Sequence, residues 1–393
     1  MNIPFYPKYY LVFLLAEFEN APFVIKIAIL FASFLAITFV LTLIHIIVLN
    51  LIYLSRDKIK EQFNTTYQDA IVSTITSSAL LEEEDIKECL GHHRNPLRKK
   101  NKRLYTEELI EIIKQTKISK TVNQENLLVV INHFQLDTYW QHIILKGRLK
   151  KRKNALRNMD ELEHLLSGSV LLKSAYHRNG DFRKQSRAAL IEYDQNDPFK
   201  FFEESFDSDF NALDEIRLHH YLEKKSQTSG LPDFSRWVEN AKNDHFKRFI
   251  IKEIGLLKQL NCANFLINLL QTEKQLVVRK QIVETLGVLD FKAADTPLIS
   301  IYATAATGLQ KKIIETLAIL KTEKTLAFLV ETYQYSHDSS MKIQLAHALN
   351  DYGVEGQEKF EALSLGDNHF NLEVFAQVNF SHNQKDTPYT ALT

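Results

Sequence analysis

An apolar triplet with helical spacing recurs every 31 or 32 residues along most of this chain. Ile282, Leu286 and Leu289 stand at positions i, i+4 and i+7, which places the three side chains on one face of an α-helix. The equivalent triplets are Ala155/Met159/Leu162, Ser186/Leu190/Tyr193, Leu218/Leu222/Lys225, Ile250/Ile254/Leu257, Ile313/Leu317/Leu320 and Leu345/Leu349/Tyr352. Ser186 and Lys225 are the two members that break the apolar pattern. Each interval has room for two helices and a turn. Because one helix pair leaves an apolar face uncovered, the pattern predicts that successive pairs stack.

The segments between the triplets are also apolar and predict the second helix of each pair, as in "NFLINLLQ" at 264–271, "PLISIYATA" at 297–305 and "TLAFLVETY" at 325–333. A coiled coil would sustain heptads, and an ordinary bundle has no reason for a constant spacing. We therefore predict an all-α chain in which 121–365 form an α-solenoid of about six to seven helix pairs, capped by 366–393. Phenylalanines on the second helices belong either to the core or to an exposed binding groove: Phe199, Phe201, Phe202, Phe206 and Phe234.

Two of the repeated segments have nearly the same sequence. "KQIVETLGVLDF" at 280–291 and "KKIIETLAILKT" at 311–322 agree at six of twelve positions. Only the apolar face continues into the other units, whereas the pairs Glu284-Thr285 and Glu315-Thr316 do not recur. The sequence therefore favours an incidental surface location for these Glu-Thr pairs.

A long uncharged stretch precedes the repeats. Residues 27–54 contain no acidic or basic side chain apart from His45. As a helix these 28 residues would be about 42 Å long, more than the ~30 Å hydrocarbon core of a bilayer. A signal peptide has a shorter apolar core, and a buried core helix seldom stays uncharged for so long. We therefore predict one transmembrane helix at 27–54. The N-terminal arm at 1–26 contains "YYLVFLLAEF" at 9–18, which is too short to cross alone and lies either in the interface or beside the span.

Charge and cysteine usage indicate where the chain resides. Arg56, Lys58 and Lys60 follow the predicted span, so the positive-inside rule favours a cytoplasmic C-terminal part. Cys89 and Cys262 lie far apart and form no disulfide framework, which fits a reducing compartment. Lysine plus arginine and aspartate plus glutamate both number 48, and this balance argues against a dedicated nucleic-acid binder. We predict a single-pass protein of the inner (cytoplasmic) membrane with a cytoplasmic solenoid.

Two basic runs lie outside the clear repeats. "RNPLRKKNKR" at 94–103 falls in a charged helical juxtamembrane linker predicted at 55–120, in which Thr106 is expected to cap a helix. "KGRLKKRK" at 146–153 stands just before the first clear repeat. Such runs bind anionic headgroups near a membrane, but a solvated face has the same composition. The candidate membrane or partner patch comprises Arg98, Lys99, Lys100, Lys102, Arg103, Lys150, Lys151, Arg152 and Lys153.

Patterns that would indicate chemistry are weak. The adjacent pairs His92-His93 and His219-His220 point about 100° apart on a helix, whereas helical zinc sites use i, i+4 spacing. "DSDFNALDE" at 207–215 resembles a calcium loop but has alanine at the required glycine position, so Asp207 and Asp209 are expected to cap the next helix. The sequence has no P-loop, dinucleotide-binding, nucleophile-elbow or CxxC motif. We predict no catalytic, metal or cofactor residue.

The clearest repeat resembles a HEAT repeat. In "VVRKQIVETLGVLDFKAADTPLISIY" at 277–302, the matching features are Arg279 in the first helix, the Leu286-Gly287 pair and an apolar second helix. The resemblance covers 155–365 and is best at 246–352. A span followed by such an array is similar to bacterial membrane-anchored HEAT-repeat domain proteins. It implies a scaffold that binds a protein partner, accessory to envelope polysaccharide synthesis or export. Two alternatives stay open: an enzyme or sensor with a site in the solenoid groove, and a module that binds anionic lipid surfaces.

Overall fold

The computed structural model describes residues 7–91, 101–162, 168–194, 196–228, 230–365 and 372–379. Within these ranges the regular secondary structure is helical and contains no strand, which confirms the prediction of an all-α chain. The chain divides into two compact units, which we describe separately. Unit 1 comprises Met1–His142 and Arg157–His164, and unit 2 comprises Ile143–Leu156 and Leu165–Thr393.

Unit 1 is built around one very long helix. Its helices are α1 (Pro7–Asn20), α2 (Phe23–Ile75), α3 (Glu83–Leu90), α4 (Lys102–Ser119), α5 (Gln124–His133) and part of α6 (Leu136–Lys146). With 53 residues, α2 is about 80 Å long. The predicted span is therefore only one part of a helix that continues without a break to Ile75. The C-terminal part of α2 packs against α3, α4 and α5, so the region after the span contributes to a folded core.

Aromatic and polar side chains hold this core together. The ring of Phe63 on α2 lies 5.2 Å from that of Tyr105 on α4 and 5.9 Å from that of Phe134. Asn126 on α5 is buried, and its amide nitrogen donates to the carbonyls of Thr74 at 3.1 Å and Ala79 at 2.9 Å. This one side chain therefore satisfies carbonyls at and beyond the end of α2, where the helix leaves backbone acceptors unpaired.

The predicted helix cap at Thr106 is wrong. Helix α4 begins four residues earlier, at Lys102, and Thr106 is fully buried inside it. The Thr106 hydroxyl donates to the Lys102 carbonyl at 2.8 Å and accepts from the indole nitrogen of Trp140 at 2.9 Å. A buried Trp N–H requires a partner, and this requirement explains a threonine at an interior position.

Unit 2 contains most of the repeated segments. The helices are α7 (Leu149–Glu161), which begins in unit 2 and ends in unit 1, α8 (Gly168–Ser174), α9 (Gly180–Tyr193), α10 (Lys200–Glu203), α11 (Ala212–Thr228), α12 (Ser235–Asn240), α13 (Asp244–Leu256), α14 (Ala263–Thr272), α15 (Leu276–Val288), α16 (Asp295–Tyr302), α17 (Thr307–Leu320), α18 (Glu323–Tyr335), α19 (Ser339–Asn350) and α20 (Val354–Leu365). The odd-numbered helices α7 to α19 begin at intervals of 31 or 32 residues. Helix α9 packs on α11, and α13, α15, α17 and α19 pack in that order.

The apolar triplets face the interior as their spacing predicts. All their apolar members are buried except Leu257, which is half-buried. The two polar members behave differently from each other. Ser186 is fully buried and donates to the Phe182 carbonyl at 2.9 Å, whereas Lys225 is half-buried. A hydroxyl bonded within its own helix is compatible with a core position, which explains how serine replaces an aliphatic residue here.

The expectation that the Glu-Thr pairs are incidental surface residues is wrong for the threonines. Thr285 and Thr316 are 2% and 1% exposed. The Thr285 hydroxyl donates to the carbonyl of Ile251 on α13 at 3.0 Å, and the Thr316 hydroxyl donates to that of Val283 on α15 at 3.1 Å. Each threonine thus joins its helix to the preceding one in the α13–α15–α17 series.

Glycines allow these helices to approach closely. An added Cβ at Gly287 would lie 3.2 Å from Cγ2 of Thr316, and one at Gly255 would lie 3.3 Å from Cγ2 of Thr285. These distances are tighter than ordinary van der Waals contact, so both glycines accommodate the threonine of the next helix. The threonines of the two "ETL" segments therefore make the same contact, each with a glycine of the preceding helix in the α13–α15–α17 series.

The C-terminal end of unit 2 is covered by apolar residues. Val374, Phe375 and Val378 of a helical segment at 372–379 are buried in one cluster with Tyr333 and Phe360. The Phe375 ring lies 4.7 Å from that of Phe360 and 5.5 Å from that of Tyr333. The segment at 372–379 therefore extends the apolar core formed by α18, α19 and α20.

Candidate functional site

Residues 27–54 of α2 carry no acidic or basic side chain apart from His45, and all of them are exposed except Thr38, which is half-buried. One helix in the described part of the chain is long and apolar enough to cross a membrane, and it is α2. The hydroxyls of Ser33, Thr38 and Thr42 donate to carbonyls three or four residues earlier in the same helix, at 2.7 to 2.9 Å. Because these polar groups are satisfied within the helix, they remain compatible with a hydrocarbon environment.

Helix α1 adds a second apolar element next to α2. Pro22 separates the two helices, and the Lys26 ammonium donates to the Glu19 carbonyl at 2.8 Å at the end of α1. A cleft of about 910 Å³ lies between the helices and is lined mainly by apolar side chains, among them Leu15, Phe18 and Ile29. With 14 residues, α1 is about 21 Å long and is shorter than a bilayer core.

The first basic run is only partly available for binding. Arg98, Lys99 and Lys100 lie outside the described residues. Lys102 is 5% exposed, and its ammonium donates to the Gln135 carbonyl at 3.0 Å, so it belongs to the interior of unit 1. Arg103 is exposed and makes an ion pair with Glu107 at 2.9 Å. Sequence reasoning treated all of these residues alike because composition carries no information on which side of a helix faces the core.

The second basic run also divides into exposed and engaged residues. Lys150 and Lys151 are exposed. The Arg152 guanidinium donates to the Ile144 carbonyl and lies 5.0 Å from the centroid of the Phe182 ring. Lys153 bonds Asp181 at 2.6 Å, and this bond holds the pKa of the Asp181 carboxyl below its usual value.

The segment at 207–215 contains ion pairs that the sequence did not reveal. Asp207 is 5% exposed and accepts two hydrogen bonds from Arg183, at 2.7 and 3.0 Å. Its carboxylate also lies 3.3 Å from Nη1 of Arg187. Burial by itself raises the pKa of Asp207, but the Arg183 hydrogen bond and the other nearby donors hold it below the usual value. The carboxylate is therefore neutralised by guanidinium groups, and the expected helix-capping role for Asp207 is wrong.

A second buried ion pair lies beside it. Lys184 is 2% exposed, and its ammonium bonds the carboxylate of Asp214, which is 1% exposed, at 2.6 Å. The same ammonium donates to the Asp209 carbonyl at 2.6 Å. Asn211, and not Asp209, caps α11, because its side-chain oxygen accepts from the backbone amide of Leu213 at 3.1 Å. These carboxylates are thus held by protein cations in positions where calcium would need them free.

The histidines and cysteines form no metal-binding cluster within the described ranges. His92 and His93 lie outside the described residues. His219 bonds Glu253 at 2.9 Å, and Glu215 bonds His245 at 2.6 Å, so two His–Glu pairs join α11 to α13. Burial raises the pKa of Glu253, and the hydrogen bond from His219 opposes that shift.

The surface of the odd-numbered helices carries a short apolar row. Leu256, Val288 and Ile319 occupy equivalent positions on α13, α15 and α17 and are 46%, 38% and 53% exposed. Ile319 also lines a depression of about 720 Å³ between α17 and α19, together with Glu315 and His347. The sequence contains the signal for this row, because each member directly precedes the last residue of an apolar triplet.

The phenylalanines of the second helices belong to the core. Phe201, Phe202, Phe206 and Phe234 are buried, and Phe199 is half-buried against Trp237, with ring centroids 5.1 Å apart. The exposed groove that these residues could have formed is therefore absent at these positions. No protein-family model matches the chain, and no curated protein matches it either.

Proposed function

We propose that this protein is a membrane-anchored scaffold. In this proposal α2 crosses the inner (cytoplasmic) membrane once, and the later helices form a cytoplasmic, HEAT-like α-solenoid of about six to seven helix pairs. The observation that carries it is an uncovered apolar helix surface followed by helices that begin 31 or 32 residues apart and pack in chain order. By its resemblance to membrane-anchored HEAT-repeat proteins, the chain would be accessory to envelope polysaccharide synthesis or export.

The row of Leu256, Val288 and Ile319 is the surface that we propose for the protein partner. Apolar side chains at the centre of an interface, surrounded by a charged rim, are typical of binding hot spots. Glu284 and Glu315 lie exposed on the same helices, and Lys321 lies beside Ile319 in the depression between α17 and α19. This combination of exposed apolar and charged side chains supports binding of a protein surface.

An anionic-lipid-binding module is the second candidate, and it has support from fewer residues than the composition suggested. Lys150 and Lys151 are exposed, which favours it. Lys102 is buried, and Arg152 is half-buried against Ile144 and the Phe182 ring, so both are less accessible to a headgroup than Lys150 and Lys151.

Site-specific cross-linking in cells tests the scaffold proposal. A photoreactive amino acid replaces Ile319, and the matched control carries it at Tyr335, which is 74% exposed on α18. We expect one defined protein to cross-link at Ile319 and not at Tyr335, and we expect Val288→Asp to abolish that product. Equal products from both positions, or a product that survives Val288→Asp, would contradict a specific partner surface.

Labelling from outside the cell tests the orientation. In a Cys89→Ser background, Glu284→Cys places one exposed thiol on α15. We expect a membrane-impermeant maleimide to label it only after the inner membrane is opened. Labelling in intact cells whose outer membrane alone is permeabilised would place this helix on the other side and reject the proposed orientation.

A further inference from the structure

A depression lies where the apolar run of α2 ends. It is formed between α2 and the start of α4 and has a volume of about 510 Å³. One part of its lining is apolar and the other is polar and basic, and the residues that matter here are Val48, Leu51, Ile52, Ser55, Arg56 and Arg103.

The basic part of the lining consists of two arginines, Arg56 and Arg103. Arg56 is exposed and makes no ion pair within the part of the chain that the structure describes. Arg103 bonds Glu107 through its Nε at 2.9 Å and is 56% exposed at its side chain. A guanidinium has five N–H donors, so one carboxylate contact leaves Arg103 with donors for a second anion. The lining therefore contributes two positive charges, and Glu107, the carboxylate that Arg103 bonds, also lies 4.0 Å from Lys60.

The apolar part belongs to the segment of α2 that we propose to cross the membrane. Arg56 stands two residues beyond the end of the uncharged run at Leu54. Val48 precedes Arg56 by eight residues, which is about 12 Å along a helix. When α2 spans a bilayer, the arginines reach the phosphate level while Val48, Leu51 and Ile52 remain at the level of the acyl chains.

We propose that this depression binds one anionic phospholipid. Arg56 and Arg103 hold its phosphate, and its acyl chains lie against Val48, Leu51 and Ile52. The proposal rests on the proposed membrane span and adds a specific ligand to it. A free phosphate would use the arginines alone, whereas a phospholipid also matches the apolar wall that continues into the membrane-facing surface of α2.

Native mass spectrometry of the full-length protein in detergent tests this site, with phosphatidylglycerol and phosphatidylcholine as competing probes. We expect one phosphatidylglycerol to be retained selectively. Arg56→Gln and Arg103→Gln should each weaken its binding about fivefold, the effect expected for one basic side chain at an anionic surface. Lys58→Gln is the matched control, because Lys58 is exposed on the same helix but does not line the depression. It should bind the lipid like the wild type.

The following results would overturn the proposal. The first is wild-type lipid binding by both arginine variants, and the second is an equal loss in Lys58→Gln, which would indicate a diffuse charge effect. The third is complete displacement by glycerol phosphate, which would assign the site to a soluble anion. Resistance of the wild type to carbonate extraction is measured in parallel. Loss of that resistance would reject the span itself, whereas a resistant protein without lipid selectivity would reject only this site.

Discussion

The close contact between α15 and α17 makes a quantitative prediction at Gly287. Alanine is favoured over glycine inside a helix by about 1 kcal/mol. The added Cβ, however, would lie 3.2 Å from Cγ2 and 3.5 Å from Oγ1 of Thr316, and 3.6 Å from Cδ1 of Ile319. Overpacking of this kind typically costs about 1–3 kcal/mol. Because the contact is made to a buried, hydrogen-bonded threonine, we expect Gly287→Ala to lower the free energy of unfolding by about 1 kcal/mol net.

A double-mutant cycle isolates the cause. Thr316→Ser removes Cγ2 and keeps the hydroxyl that donates to Val283, so it removes the closest contact of the added methyl group. In that background Gly287→Ala should become neutral or stabilising, which corresponds to a coupling of at least about 1 kcal/mol. Thermal unfolding of the full-length protein in detergent micelles, followed by circular dichroism, provides the assay. A change of 1 kcal/mol shifts the midpoint by about 2–4 °C in a unit of this size.

The matched control is Gly180→Ala at the first residue of α9. The nearest atom to its added Cβ is Nη2 of Arg183 at 3.5 Å, an ordinary contact, so this variant should be neutral or slightly stabilising. The reasoning fails if Gly287→Ala raises the midpoint as Gly180→Ala does, or if the effects of Gly287→Ala and Thr316→Ser simply add. The equivalent pair of Gly255 and Thr285 should repeat the result.

Three further predictions concern buried ionisable groups. Lys184→Met leaves Asp214 buried without its closest cation and should destabilise the protein by about 3–5 kcal/mol, measured by thermal unfolding. Burial raises the pKa of Cys262 to about 11, so at pH 8 only about one Cys262 thiol in a thousand is ionised. Iodoacetamide should therefore modify Cys262 far more slowly than the exposed Cys89, and mass spectrometry measures the two rates. Folding raises the pKa of Glu253, so the Glu253 carboxyl stabilises the folded state at pH values below its unfolded pKa, and this stabilisation is lost as the pH rises through its folded pKa. Glutamine carries no charge at any of these pH values. Glu253→Gln should therefore gain stability relative to the wild type as the pH increases from acid to neutral.

Exposed residues of the same type serve as controls for these three. Lys150→Met should change the unfolding free energy by less than about 0.5 kcal/mol. In denaturant both cysteines should react at similar rates, because burial is the cause of the difference. Glu284→Gln on the surface of α15 is compared with Glu253→Gln at each pH. If Lys184→Met is as stable as Lys150→Met, the Lys184–Asp214 pair does not stabilise the fold. If Glu253→Gln keeps the wild-type pH profile of unfolding, Glu253 does not contribute to that profile.

Much of the fold was predictable because it follows from side-chain periodicity. The triplets at 31- and 32-residue spacing identified the odd-numbered helices of unit 2, and their apolar members are buried. The uncharged run at 27–54 identified the one helix, among the residues that the structure describes, that is long and apolar enough to cross a membrane. Neither prediction depends on contacts between distant residues, since periodicity and length act within a single helix.

The candidate site was less predictable because exposure depends on long-range contacts. Lys102 and Arg103 are neighbours in one basic run, yet Lys102 is buried and donates to the Gln135 carbonyl, whereas Arg103 is exposed and pairs with Glu107. The Glu-Thr repeat looked incidental because only two units share it, but Thr285 and Thr316 are the hydroxyls that cross between helices. No composition or spacing distinguishes such a threonine from a solvated one.

The sequence by itself determined that this chain is helical, that residues 27–54 form an uncharged helix surface, and which face of each repeated helix is apolar. These properties arise from backbone geometry and side-chain polarity within about twenty consecutive residues. Only the tertiary structure decided which polar groups are buried and what they contact. It continued α2 into the core of unit 1, paired Asp207 and Asp214 with cations, and brought Arg103 beside Arg56 at the end of the apolar run. These outcomes depend on which helices meet, and charges separated by tens of residues interact only once the packing has placed them together.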